Sequence, residues 1–141
     1  MATISKDGRQ VAADALATLK THLSNFAQFH AHCTSAPAKS PHFVVGPLEA
    51  AGYFDVAIHG GAVRARISVS ALTDERPNAA IECHRRPRFA DDAPGGFELV
   101  GHVLVDQYGV TDVTDSFNQG VMLTDAKSVS FVLIPLLAAA I

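Results

Sequence analysis

A chain of 141 residues is about the size of one ordinary domain, and 48% hydrophobic against 18% charged residues can fill a core without metal or disulfide staples. Two cysteines, Cys33 and Cys83, with no CxxC spacing argue against a disulfide framework and point to a reducing compartment. The formal charge is −3, but six arginines against three acids give residues 64–88 a charge of +3. From residue 89 onward, seven acids against Lys127 give −6. Opposite-signed regions can steer a partner and do not bear on fold.

The opening residues Met1 to Asp7 lack the apolar run of a secretory signal. Residues 128–141 carry no charge, yet a membrane span needs about 20 apolar residues and Pro135 interrupts this stretch. The expectation is a cytoplasmic protein forming a single domain over residues 1–141.

Ala12, Leu16, Leu19, Leu23 and Phe26 recur at helical spacing, which predicts an amphipathic helix from Asp7 to about His30, with Asp7 and Gln10 as a capping box. At 1.5 Å per residue it would run about 35 Å and bury that stripe on a sheet. Thr34 to Pro47, with three prolines, reads as a loop. Pro47 and Gly52 bracket one turn of helix over Leu48 to Ala51.

Tyr53 to Ala71 is the strongest pattern in the chain. A two-residue turn at Gly60-Gly61 places Phe54 opposite Ile67, Val56 opposite Ala65 and Ile58 opposite Val63. Asp55 then meets Arg66, and Ala57 meets Arg64, on the other face. Residues 73–78 form a turn, and Ala79 to Arg85 is a third strand with Ile81 and Cys83 in, Glu82 and His84 out.

Pro87 to Gly96 is an acidic loop. Phe97 to Val105 is a fourth strand, with Phe97, Leu99, Val103 and Val105 on one parity and Val100 and Leu104 on the other, which suggests a strand near the sheet centre or one whose outer face is covered. Asp106 to Gly109 is a turn, and Val110 to Thr114 a more polar strand. Val121 to Leu123, a turn, and Ser128 to Ile134 read as a last hairpin because Val129, Phe131, Val132 and Ile134 favour strands. The rival, a helix from Asp125 to Ala140, would put Pro135 in its interior at about 3 kcal/mol. The fold class is α+β: a long N-terminal helix on a mainly antiparallel, curved sheet of five to seven strands.

No GxGxxG, P-loop, GxSxG or HExxH motif occurs. His30, His32, Cys33 and His42 hold metal-ligand atoms, but two histidines two apart at a helix end diverge, so no metal and no cofactor are expected. Cys83 has His84 beside it in sequence, yet adjacent strand residues face opposite ways, so Cys83 reads as a buried structural thiol. Cys33 falls in a loop, where a thiol can be reactive for no functional reason. Asp106, Asp112 and Asp115 miss the EF-hand spacing and read as caps of their own backbone.

The hairpin's outer face gathers Tyr53, Asp55 and His59, then Arg64, Arg66, Ser68 and Ser70, then Glu82, His84 and Arg86. Guanidiniums there suit forked contacts to carboxylates or phosphates. The expected binding residues are therefore Arg64, Arg66, His84, Arg86, Asp55 and Glu82, with no catalytic residue assigned. The leading reading is a non-enzymatic protein-interaction module of the inhibitor, immunity or adaptor kind, with a protein partner and self-association as a homodimer both compatible. One alternative is a small-molecule site or small enzyme with a pocket between helix and sheet. The other is nucleic-acid binding through Arg64, Arg66, Arg85, Arg86 and Arg88, disfavoured by net charge and sparse aromatics.

Overall fold

The computed structural model describes residues 8–35, 43–58, 61–69, 79–86 and 96–140. Helix α1 (Gly8–Ser35) is followed by seven strands: β1 (Phe43–Val45), β2 (Tyr53–Ile58), β3 (Gly61–Val69), β4 (Ala79–Arg85), β5 (Glu98–Val105), β6 (Val110–Thr114) and β7 (Gly120–Met122). Each strand pairs antiparallel with the next, so the sheet is an open meander in sequence order. One turn of π-helix (Val129–Leu133) then leads into helix α2 (Ile134–Ala139). The α+β class and the antiparallel sheet agree with the sequence reading.

The β2–β3 hairpin keeps the expected faces but not the expected register. Phe54 pairs with Ala65, Val56 with Val63, Ile58 with Gly61 and Asp55 with Arg64, each two residues away from the predicted partner. Gly61 belongs to the strand, and residues 59 and 60, where part of the predicted turn falls, lie outside the described residues. A two-residue shift leaves every side chain on its own face, so alternation cannot tell these registers apart. The observed register seats the Arg64 guanidinium on the Asp55 carboxylate, where the predicted one would have brought Arg66.

Helix α1 runs five residues beyond its predicted end and turns a different stripe inward. His22, Phe26, Phe29 and Cys33 are buried, while Leu16 is 57% and Leu23 37% exposed. Aromatic packing sets the rotation. The Phe26 and Phe29 rings lie 5.4 and 6.1 Å from Phe54, and the His30 ring lies 4.9 Å from it. The first half of the helix is largely exposed rather than laid on the sheet. The Asp7 cap and His42 lie outside the described residues.

Three further expectations change. Phe43–Val45, read as loop, pairs with Ile58, Ala57 and Val56 as an edge strand. Residues 49–52 form a tight turn, not a helical one: the Gly52 N–H donates to the Glu49 carbonyl at 3.0 Å, and Gly52 takes φ +88°. Of the final hairpin, the first arm is strand β7 (Gly120–Met122), but the second, Ser128 to Ile134, is helical. Proline removes an N–H and its ring collides with the carbonyl four residues back, but the preceding turn is π-type, with the Ile134 N–H donating to the Val129 carbonyl. Pro135 therefore sits in the first turn of α2, where both penalties lapse.

The core lies on one face of the sheet. Phe54, Val56, Val63, Ala65, Ile67, Ile81, Cys83, Val103 and Val105 meet Phe26 and Phe29 from α1 and Val132, Leu133, Leu136 and Leu137 from the C-terminal helical segment. The space between helix and sheet, where the small-molecule alternative put its pocket, is occupied by these side chains.

Candidate functional site

The opposite face of β2–β5 carries the polar residues in cross-strand rows. Asp55, Arg64, His84 and Leu99 form one row; Tyr53, Arg66, Glu82 and His102 form the next. A bulge makes this arrangement possible. Cys83 pairs with Gly101 and His84 with Leu99, so Val100 is an extra residue on β5. Beyond it the strand's facing reverses: Val103 and Val105 point into the core, while Leu99, at 52% exposure, lies on the outer face beside His84. The sequence reading had grouped Phe97 and Leu99 with Val103 and Val105. Unbroken alternation would have sent all four inward.

Phe97 and Tyr53 receive the Arg64 guanidinium, whose carbon stands 4.0 Å from the Tyr53 ring centre and 4.4 Å from that of Phe97. Arg64 also forks onto Asp55, Nε to Oδ1 at 2.8 Å and Nη2 to Oδ2 at 3.2 Å. The hydrogen bond to Asp55 is the chief reason that the Arg64 pKa is raised further above its ordinary value. His84 Nε2 lies 3.2 Å from Glu82 Oε1. Arg66, opposite Glu82 and exposed, takes part in no ion pair among the described residues.

These groups ring a depression of about 370 Å³ lined by Ala51, Tyr53, Arg64, Arg66, His84 and Phe97. Of the six expected binding residues, Arg64, Arg66 and His84 line it. Asp55 and Glu82 support two of those three from the same face. Arg86 is exposed and outside it, its backbone N–H donating to the Ala62 carbonyl at 3.1 Å. Sequence reasoning missed Phe97 and Ala51. The signal for Phe97 was Gly101, since a lone glycine inside a strand often marks a bulge.

The other candidate residues among those described make contacts within the fold. His30 donates from Nε2 to the Gly46 carbonyl at 2.8 Å, and His32 from Nε2 to the Thr124 carbonyl at 2.9 Å. Each histidine thus ties the end of α1 to a different loop, and no metal-holding group of three ligand residues occurs among the described residues. Cys33, expected in a loop, is buried on α1, and Cys83 is buried beneath Leu136, whose carbonyl accepts from its Sγ at 3.6 Å. Burial pushes the two thiols up to about 12 and about 11 respectively.

Asp106 accepts from the Tyr108 and Val110 N–H groups at 2.8 and 3.0 Å, capping its own turn as expected. Asp115 does the same for Phe117 and Gln119, and its second oxygen takes Lys127 Nζ at 2.8 Å. That contact with Lys127 is the main reason its pKa is lowered. Asp112 instead accepts from the Leu104 N–H on β5 at 3.1 Å.

The arginines of residues 64–88 do not make one stripe. Arg64 is neutralised by Asp55, and Arg85, with the opposite parity, pairs with Glu98. Arg76 and Arg88 lie outside the described residues. No helix among the described residues is long and apolar enough to cross a membrane. Comparison with protein-family models, with curated proteins and with solved structures gives no match to this chain.

Proposed function

We propose that the chain is a non-enzymatic protein-interaction module that engages its partner through the outer face of β2–β5. One observation carries this reading: Arg66 stands out of any ion pair among the described residues, beside an arginine whose own charge is already spent on Asp55. An exposed guanidinium ringed by Tyr53, Phe97 and the half-buried His84 has the composition of an interaction hot spot. The filled helix–sheet interior speaks against the small-molecule alternative. The dispersal of the arginines speaks against a nucleic-acid track, which wants cations in line along a phosphate backbone. Two free, buried thiols support a reducing, cytoplasmic setting.

The test is affinity capture with immobilised wild-type protein beside Arg66→Ala, at low and moderate salt, with bound protein identified and reconstituted from purified components. A partner retained by wild type and lost by Arg66→Ala supports the reading. A metabolite that raises the melting temperature, together with no Arg66-dependent protein, overturns it.

A further inference from the structure

Resting on that reading, we infer that the depression on the outer sheet face is a receptor for a single carboxylate: the side chain of an internal Asp or Glu in the partner, with an apolar residue next to it. Arg66 makes the contact. Arg64 is the poorer donor, because Asp55 takes its Nε and Nη2 donations at 2.8 and 3.2 Å and two rings cover it. Arg64 serves as a wall, its position set by three neighbours. A planar carboxylate accepts two parallel N–H donations from one guanidinium, and the apolar flanks of Tyr53, Phe97 and Ala51 reduce the competition from water.

The charges around Arg66 select a monoanion. Glu82 faces it across the β3–β4 ladder, hydrogen-bonded to His84 rather than to Arg66, and Asp55 sits beyond Arg64. With two carboxylates on the same face, and Arg66 the one arginine of the lining outside any ion pair among the described residues, a phosphate dianion meets more repulsion than a carboxylate does. Leu99, exposed beside His84, supplies the apolar contact for the neighbouring residue of the ligand. The depression lies in the middle of a sheet face, so a peptide passes across it and presents a side chain.

The test is NMR titration of the 15N-labelled protein, following backbone amides and the arginine Nε–Hε groups. The probes are sodium acetate, inorganic phosphate and sodium chloride at matched ionic strength. They are followed by an end-blocked Leu-Glu-Leu tripeptide, its Leu-Gln-Leu counterpart, and a free-carboxylate Leu-Leu-Leu. The expected result is saturable shifts with acetate centred on Arg66, Tyr53 and His84, weaker binding of phosphate, and tightest binding of Leu-Glu-Leu. Arg66→Gln weakens it about tenfold or more, whereas Arg86→Gln leaves it unchanged.

Shifts that chloride reproduces, equal or tighter binding of phosphate, equal binding of Leu-Gln-Leu, or a preference for the free C-terminal carboxylate each overturns the inference. The two proposals fail separately. Acetate and Leu-Glu-Leu binding with no protein partner captured by wild type refutes the module and keeps the site. A partner captured equally by wild type and Arg66→Gln keeps the module and refutes the site.

Discussion

Raising the pH from 7 to 10 sets the two buried thiols against the fold. Their ordinary value is 9.0, and burial holds Cys33 near 12 and Cys83 near 11. At pH 10 an unfolded thiol is therefore largely thiolate while both folded thiols keep their protons. A folded pKa above the unfolded one contributes stability that is complete below pH 9 and is lost progressively as pH climbs toward the folded values. Ionisation of an unfolded thiol one pH unit above its pKa is worth about 1.4 kcal/mol, so the pair cost the native state about 3 kcal/mol at pH 10. Against a total stability of about 5–15 kcal/mol that is a large fraction. Urea unfolding at pH 7 and pH 10 measures it, with Cys33→Ala/Cys83→Ala as the reference that cancels every other titrating group. Wild type loses about 3 kcal/mol more than the double variant, and neither thiol of the native protein reacts with iodoacetamide at pH 7. Equal losses in the two proteins, or fast alkylation of folded wild type, would show that these sulfurs are not shielded from solvent as described.

Phe54→Ala removes the ring against which Phe26, Phe29 and His30 pack, and urea unfolding is expected to register a loss of about 3–5 kcal/mol. Gly52→Ala places a methyl group at φ +88° and 3.0 Å from Ile67 Cγ2, for an expected cost of about 1–2 kcal/mol in the same assay. Asp115→Asn lowers the melting temperature at pH 7, because the Lys127 contact and the charged acceptor of the turn are both weakened. Since the Asp115 pKa is lowered in the fold, its contribution is present above the unfolded carboxylate range and lost as pH falls through the folded value. The gap in melting temperature between wild type and Asp115→Asn must therefore narrow on acidification, and a gap constant from pH 7 to pH 2 would contradict the assignment.

The parts of the fold legible in the sequence are those fixed by parity alone. Phe54, Val56, Val63, Ala65, Ile67, Ile81 and Cys83 all point inward as their alternation says, even though the hairpin register differs by two residues. Alternation carries no information about such a shift; only the fit of individual side chains across the ladder does. The helix stripe failed for a related reason. Leu16 and Leu23 are as apolar as the core requires, but α1 needs one face only where it meets the sheet, and Phe26 and Phe29 claim it. At the C-terminus, strand propensity in Val129, Phe131, Val132 and Ile134 gave way to tertiary packing, which buries Val129, Val132, Leu133, Leu136 and Leu137 together in the helical segment. The proline penalty that weighed against helix assumed uniform α geometry, and the π turn removes that assumption.

The candidate site depends on the one place where alternation breaks. Residues with phenyl, isobutyl and isopropyl side chains on both parities of β5 suggest a strand covered on both faces, and that suggestion rests on a constant period of two. With Val100 as an extra residue, the same sequence yields an inner face of Gly101, Val103 and Val105 and an outer face bearing Leu99, which is half exposed and opposite His84. Phe97 then reaches the Arg64 guanidinium on the side of the sheet away from the core. Gly101 faces the second helix, where an added Cβ would stand 3.5 Å from Leu136 Cδ2, an ordinary contact, so crowding there does not demand a glycine. Its place beside the register shift is the better account, because a residue without a side chain lets the strand twist sharply at least cost. Read this way, the apolar surplus of β5 is divided between two tasks: the far half closes the core beneath the helices, and the near half builds the wall that leaves Arg66, rather than Arg64, as the cation open to a ligand.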